Sequence, residues 1–340
     1  LLIAPVSAGK ADPNDELRPI RGTVLTGFKN RDQQEINMNV QSIPKPVASA
    51  STELVPSRYA LRVGDIDVLV ISDGVLPLPF ETMSTNVDPV MRAAWLDNLF
   101  LPDKFDWAVN VVVVRSGDRT ILVDSGLGNQ FEGFPRAGQL TLRLEAAGIG
   151  LGAITDVVLT HLHMDHIGGL LVDGVKEQLR PDVRIHVAAA EVKFWAAPDF
   201  SRTAMPSPIP DVLRTTAQRF LSEYRSHLRT FDEQHEVAPG VVVSRTGGHT
   251  PGHSVVRLKS GNERLTFAGD AIFPVSFDHP EWHNGFEHDP EESTKVRIKL
   301  FRELAANSEL LVATHLSFPS VGRVAIDGDA FRFVPAYWDY

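Results

Sequence analysis

From Ser57 onward, apolar and polar positions alternate in short runs whose periods predict strands interleaved with helices. YALRVGDIDVLVISDG (59–74) alternates on either side of Gly64-Asp65 and reads as a β-hairpin. AVNVVVVRSGDRTILVDSG (108–126) reads as two further strands around a Ser-Gly-Asp turn. AITDVVLTH (153–161) is a short apolar run of the kind found in a strand buried on both faces. VRIHVA, GVVVSRTGGH, SVVRLKS, RLTFAGD and ELLVATH add further strand-like segments. Two helices are well signalled. In DVLRTTAQRFLSEYRSHL (211–228), Val212, Thr216, Phe220, Tyr224 and Leu228 recur at four-residue intervals beside Leu213, Ala217 and Leu221. In DPEESTKVRIKLFRELAAN (289–307), Asp289 can cap, Pro290 takes the first helical position and Glu292 completes a capping box. Shorter helices are expected near 138–147, ending at Gly148, and near 189–196. The class is mixed α/β with a large sheet component.

The first stretch differs. Residues from about 9 to 56 are polar, with Pro13, Pro19, Pro44, Pro46 and Pro56 among Asn, Gln and Ser, and read as an arm or linker (1–56) ahead of a compact domain (57–340). Leu1 to Ala8 reads either as the remnant of a secretory signal peptide or as a trimmed end. The first reading places the protein in the periplasm or outside the cell, the second in the cytoplasm. Composition narrows the function. With 33 Lys+Arg against 43 Asp+Glu, the net charge of −10 disfavours a nucleic-acid partner. No apolar run is long enough for a spanning helix, so no membrane partner is expected. The absence of cysteine excludes disulfides, thiolate catalysis and Cys-ligated metal.

The 12 histidines are the informative feature. VVLTHLHMDHIGG sets His161, His163, Asp165 and His166 directly after a buried strand. A tight loop there turns His161 and His163 to one side and Asp165 and His166 to another. Imidazole and carboxylate suit Zn, Mn, Fe, Co or Ni, so the spacing reads as two adjacent metal positions. Three other strand-like runs end in a ligand-type residue: RLTFAG in Asp270, ELLVAT in His315 and VVVSRTGG in His249. Sites in α/β sheets gather outside the carboxyl ends of strands, so these ends point to one convergent site.

HLHMDH, GGHTPGHS, Gly269-Asp270 and Ala313-Thr314-His315, in that order, resemble the signature of the metallo-β-lactamase superfamily from about Tyr59 to the C-terminus. The resemblance implies an αββα four-layer sandwich: two mixed β-sheets face to face, helices outside, a dinuclear metal site along one edge. It implies that His161, His163 and His249 hold one divalent ion, that Asp165, His166 and His315 hold the second, and that Asp270 bridges them. Zinc is the first expectation for both. Asp124, ending ILVDSG, matches a family acid that supports the site without ligating, and His253 matches a structural position. The β-lactamases proper commonly use a Cys ligand, which this chain lacks, so antibiotic hydrolysis is not expected.

ATHLSFPSVGRVAIDGDAFRFVP and GDIDVLVISDG resemble the methyl parathion hydrolase group, hydrolases of phosphotriesters with lactonase and arylesterase relatives. That resemblance implies a homodimer acting on a small phosphotriester, aryl ester or lactone through a metal-bridging hydroxide, with Asp165 or Asp270 moving the proton. It also suggests Trp195 as a pocket ring. Phe131 or Phe134 could supply a second, and Phe273 lies near a metal-bearing strand end. SFDHPEWHNGFEHDP, with His279, His283 and His288, fits no zinc pattern and reads as a solvated or pocket-rim loop. APDFSRTAMPSPIP reads as a lid or a surface connection. The competing readings are a glyoxalase II-like thioester hydrolase and a mononuclear iron dioxygenase of the persulfide type.

Overall fold

The computed structural model describes residues 56–337; the expected arm and signal remnant lie outside the described residues. β1 (Arg58–Val63) and β2 (Ile66–Pro79) form the first hairpin, and β3 (Lys104–Ser116) and β4 (Arg119–Val123) the second. β5 (Asp156–Val158), β6 (Arg184–Ala188) and β7 (Leu228–Phe231) then add in chain order, completing a seven-stranded sheet. β1 to β4 are antiparallel, and β4 to β7 run parallel. The second seven-stranded sheet runs β14-β13-β12-β11-β10-β9-β8, built from β8 (Gln234–Ala238), β9 (Val241–Arg245), β10 (Ser254–Ser260), β11 (Glu263–Phe267), β12 (Leu310–Val312), β13 (Gly322–Asp327) and β14 (Ala330–Pro335). Its one parallel pair is β11 with β12.

The Val-rich run of β3 explains the layering. Successive side chains on a strand point to opposite faces. Val112 and Val114 therefore join Val68, Val70, Ile121 and Val123 against Val243, Val256, Leu265 and Phe267 of the second sheet. Val109, Val111 and Val113 point the other way, into a core shared with α2 (Leu140–Ala146) and α6 (Ile209–Glu223) through Leu140, Leu144, Leu213, Ala217 and Phe220. α7 (Pro290–Asn307) covers the outside of the second sheet with Leu300, Phe301 and Leu304. Each such side chain contributes roughly 1.5–3 kcal/mol when buried, so both sheets are held on both faces. This is the αββα sandwich of two mixed sheets. No helix of the described residues is long and apolar enough to cross a membrane.

Several elements depart from the pattern-based reading. The helix expected over 211–228 ends at Glu223. Tyr224 buries its ring and donates its hydroxyl to the Leu170 carbonyl at 2.6 Å, and Leu228 pairs with Ile185 as the start of β7. Sheet pairing outweighs the continuing helical period there. α1 (Pro89–Asn98) is an additional helix, capped by Asp88, whose side chain accepts from the Val90 N–H at 2.8 Å. β13 and β14 form an additional hairpin at the sheet edge. The short helices appear as α2 and as α5 (Ala189–Ala196), with the one-turn α3 (Met164–Ile167) and α4 (Val175–Gln178) between them, and Asp289 caps α7 by accepting from the Glu292 N–H at 3.1 Å.

Candidate metal centre

Four strand ends deliver ligand-type side chains to one edge of the sandwich. His161, His163, Asp165 and His166 follow β5, His249 follows β9, Asp270 follows β11 and His315 follows β12. The seven fall into two buried groups, His161/His163/His249/Asp270 and Asp165/His166/His315, with donor atoms within 4.8 Å of one another in each.

The loops that hold them are tightly determined. Ser125 donates its N–H and its hydroxyl to the His166 carbonyl at 2.7 and 2.9 Å, fixing the loop from the first sheet. Gly169 presses against that contact: a Cβ there would stand 1.9 Å from the Ser125 carbonyl oxygen. Gly269, at φ +53, lies between His253 and Thr160, where a Cβ would come within 2.9 Å of the His253 ring. Only glycine fits both the left-handed backbone and the space.

Three of the five ligand imidazoles are oriented through Nδ1, the nitrogen that faces away from the centre, while His163 Nε2 and His249 Nδ1 are buried with no hydrogen-bond partner. His166 donates Nδ1–H to Asp124 Oδ2 at 2.8 Å. Thr160 gives its hydroxyl proton to Asp124, at 2.9 Å from Oδ2, and so can accept Nδ1–H of His161 at 3.0 Å. His315 donates Nδ1–H to the Ala108 carbonyl at 2.7 Å. The Nε2 atoms of His161 and His166 and Oδ1 of Asp270 are buried with no hydrogen-bond partner. Buried orphan lone pairs are costly, and a cation is the partner they suit. Two donors held about 2.0–2.1 Å from one tetrahedral ion stand roughly 3.3 Å apart. His163 Nδ1 and His249 Nε2 are separated by 3.1 Å, and His249 Nε2 and Asp270 Oδ2 by 3.4 Å. In the second group His166 Nε2 lies 3.5 Å and His315 Nε2 3.4 Å from Asp165 Oδ2. Asp270 reaches both groups, with Oδ1 3.3 Å from His166 Nε2 and Oδ2 3.3 Å from His315 Nε2. The donor set fits two ions sharing Asp270.

Charge distinguishes the groups. Burial holds His161 and His249 well below the ordinary imidazole value and pushes His163 down to about 3, so these rings are neutral, the form that ligates. Burial acts the same way on His315, but Asp270 and Asp165 overcome it and push the ring up to about 10; with Asp124 they also hold His166 well above its usual range. The acids make this second group a place for positive charge. His253 stays outside both groups. Its Nε2 accepts the Asp270 N–H at 3.1 Å and its Nδ1 faces Thr246 Oγ1 at 2.8 Å, so the ring positions the Asp270 backbone.

A narrow cavity opens onto the centre. Its walls include Leu76, Leu78, Met83, Trp107, Phe134, Ile209, Leu213, Phe273 and Phe286, and its floor includes His163, Asp165, Asp270 and His315. Of the four rings suggested for the pocket, Phe134 and Phe273 line it. Trp195 is fully buried behind His163, 5.8 Å ring to ring, and donates its indole N–H to Glu191 at 2.7 Å. Phe131 packs against the neighbouring core, outside the lining. The loop carrying His279, His283 and His288 is a rim: it supplies Asn284 and Phe286, while His279 stacks on Trp282 at 4.1 Å. The 197–210 segment contributes Ile209 to the lining and donates the Ala204 N–H to the Gly285 carbonyl at 2.9 Å.

Sequence reasoning passed over Glu191 and Asn110. Fully buried, Glu191 accepts from Leu162 N–H (3.0 Å) in the first ligand loop and from Thr250 Oγ1 (2.7 Å) and Gly252 N–H (2.9 Å) beside His249. It ties the two ligand loops together. Asn110 of β3 donates to the carbonyls of Thr314 at 2.9 Å and Leu316 at 2.6 Å, tying the His315 loop to the first sheet.

Comparison with known proteins agrees with this geometry. The curated probable metallo-hydrolase Mb2322c of Mycobacterium bovis is 25% identical over 191 residues, covering 48% of this chain and 56% of that protein. The chain thus spans about half the length of the curated relatives it matches. Among solved structures, AidC, a dizinc quorum-quenching lactonase in complex with a product N-hexanoyl-L-homoserine, superposes with TM-score 0.77 at 26% identity, covering 84% of this chain and 99% of that one. The hydrolase AbOPH of the beta lactamase superfamily gives TM-score 0.74 at 26% identity, covering 85% and 100%. The family model described as the metallo-beta-lactamase superfamily matches residues 105–315, more than half of the sequence and every donor of the centre, and the chain belongs to that superfamily.

Proposed function

We propose that the protein is a dinuclear metal-dependent hydrolase of small neutral esters, with lactones first, and aryl esters and phosphotriesters as further substrates. The observation that carries this reading is the cavity. It is walled by aliphatic and aromatic side chains, no lysine or arginine of the described residues lines it, and its floor includes members of both donor groups. A substrate that fills it buries apolar surface and needs no counter-cation, which suits an uncharged acyl or alkyl chain. The likeness to the lactonase AidC favours the lactone.

His161, His163 and His249 would hold one ion, Asp165, His166 and His315 the other, and Asp270 would be shared. Such ions supply a lowered water pKa and polarisation of a carbonyl or phosphoryl oxygen. The chain's own groups do the rest. The apolar wall orients the substrate and excludes water from its body. Asp165 and Asp270 border the cavity floor, where a carboxylate can take a proton from the nucleophile and pass it to the leaving oxygen. Among the described residues no other side chain of the lining is a plain general acid, which favours leaving groups that depart readily, such as a ring alkoxide or an aryloxide.

A phosphotriesterase reading draws on the rings Trp107, Phe134, Phe273 and Phe286, which suit an aryl leaving group. The glutathione thioester reading finds no cation at the lining among the described residues, and a one-ion dioxygenase leaves Asp165, His166 and His315 without a task. Initial rates of one metal-loaded preparation on N-hexanoyl-homoserine lactone, a p-nitrophenyl ester and a p-nitrophenyl phosphotriester test the proposal. The highest kcat/KM is expected on the lactone. A dominant phosphotriester rate would move the assignment to that class, and no turnover of any of the three would overturn it.

A further inference from the structure

Among the described residues, Asn284 is the one polar side chain of the cavity lining that does not belong to the donor cluster. It is 3% exposed. Its Oδ1 accepts the Phe286 N–H at 2.9 Å, which fixes the amide so that the NH2 is the free end. That Nδ2 is buried and has no hydrogen-bond partner. An unmet buried donor costs about 1–3 kcal/mol, so a side chain free to turn would turn away.

Asn284 is not free to turn. Its own N–H donates to Glu287 Oε2 at 3.0 Å, and Glu287 is paired with the buried Arg297. Arg297 in turn donates to the carbonyls of Ala271 at 3.1 Å and Pro280 at 2.7 Å, locking the loop to the strand end that carries Asp270. From the other side Gly285 N–H donates to the Thr82 carbonyl at 2.6 Å, Thr85 N–H to the His283 carbonyl at 3.0 Å, and His283 N–H to Asn86 Oδ1 at 2.8 Å. The amide is held on a rigid mount beside the cavity, in the unsatisfied state expected of a group whose partner arrives with a ligand.

We infer that Asn284 is a specificity-determining residue whose Nδ2 donates a hydrogen bond to an uncharged acceptor oxygen of the substrate, distinct from the bond that is cleaved. The inference rests on the reading of the cavity as the substrate site. A carboxamide donor in a lining where no described residue is a lysine or arginine suits a neutral carbonyl better than a carboxylate, whose charge it cannot neutralise. The chemical class is therefore an ester or lactone that carries a second carbonyl, as an acylamino lactone does, in preference to a plain alkyl one.

The test compares N-hexanoyl-homoserine lactone with α-heptyl-γ-butyrolactone, which has the same ring and chain length without the amide. Metal-loaded wild type, Asn284→Asp and Asn284→Leu are assayed on both. Asn284→Asp keeps the oxygen that Phe286 needs and removes the donor, so it remains informative where Asn284→Leu fails to fold. Wild type is expected to prefer the amide-bearing lactone. Both variants should lower its kcat/KM roughly tenfold or more, chiefly through KM, while the alkyl lactone changes by less than about threefold. Equal losses on both lactones, or a wild type without preference, would overturn the role of Asn284 and leave the hydrolase reading intact. Should wild type turn over neither lactone, the lactone reading fails, and equilibrium binding of the same two compounds to the same chains reads Asn284 alone. A preference abolished in the variants retains it; equal affinities overturn it.

Discussion

The donor cluster and the cavity wall share a boundary, yet they are built by opposite rules. In the cluster every side chain is polar and buried, and hydrogen bonds set most of the geometry: Asp124 orients His166, Thr160 orients His161, the Ala108 carbonyl orients His315, and Glu191 and Asn110 hold the loops between them. The wall is apolar and assembled from distant segments, β2, β3, the loop with Phe134, α6 and the 284–286 rim. Its order comes from ring packing: Phe80 stacks on Trp95 at 4.8 Å and on Trp107 at 6.2 Å, Trp107 meets Phe273 edge-on at 6.3 Å, and Phe273 stacks on His315 at 5.4 Å. Hydrogen bonds set angles and distances, which reaction chemistry needs. Dispersion and apolar burial tolerate exchange at small cost, which allows substrate range to vary while the chemistry is kept. Changes in the cluster should therefore affect all substrates alike, and changes in the wall should redistribute them.

The largest effect is expected at the atom pair shared by both groups. Asp270→Asn should lower metal content and reduce kcat by about a hundredfold or more on every substrate, since even partners outside the ligand set cost 10- to 100-fold. Full turnover with two bound ions in that variant would remove Asp270 from the shared position. Glu191→Gln comes next. The carboxylate accepts four hydrogen bonds, and a carboxamide can accept only through its oxygen, leaving buried donors opposed. A loss of about 1–3 kcal/mol in unfolding free energy is expected, with weaker metal retention at unchanged substrate ranking. A changed ranking with intact metal content would contradict its place in the cluster.

The wall has its own buried acid. Asp73, at the β2 bulge, accepts from the N–H groups of Leu127 (2.8 Å), Gly138 (3.1 Å) and Leu140 (2.8 Å), holding the loop that carries Phe134. Burial raises its carboxyl from 3.8 to about 6 despite those bonds. The unfolded chain then releases this proton before the folded chain does, so stability should fall as pH rises between about 4 and 6, by about 1–3 kcal/mol, and level off above. Denaturant midpoints across that window should show this slope in wild type and lose it in Asp73→Asn; parallel profiles would contradict the assignment. The smallest effect is expected at Phe273→Leu, which removes one ring from the stack. It should shift the ratio of aryl-ester to lactone rates by roughly two- to tenfold at unchanged metal content, the range of a single aromatic pair. An equal loss on both classes would place Phe273 with the cluster instead.

The same contrast explains what was legible in the sequence. The donors sit in short local motifs at strand ends, so spacing alone brings out HLHMDH and the Gly-Asp and Thr-His pairs. Asp88-Pro89 carried a helix start for α1 that went unread, and Asp327-Gly328-Asp329 a turn for β13 and β14. Glu191 gives no local sign: an acid four residues before Trp195 on a helix reads as solvent-facing, and only the packing of two distant loops buries it. Asn284 lies hidden in a polar loop for the same reason. The wall is legible as apolar residues but not as a wall, because the shared surface exists only once these distant segments have met. The end of α6 at Glu223 follows the same logic, with pairing to β6 deciding what the helical period could not.

The central claim is that the cluster supplies the chemistry through two ions and the wall supplies the choice of substrate. Metal content and hydrolysis of N-hexanoyl-homoserine lactone, measured on the same sample before chelation, after it, and after metal is restored, test it most directly. The account predicts about two ions per chain, loss of turnover as they are withdrawn, and recovery on their return. Turnover that persists undiminished in the stripped chain, or no hydrolysis of the lactone or of any neutral ester with two ions bound, would contradict it.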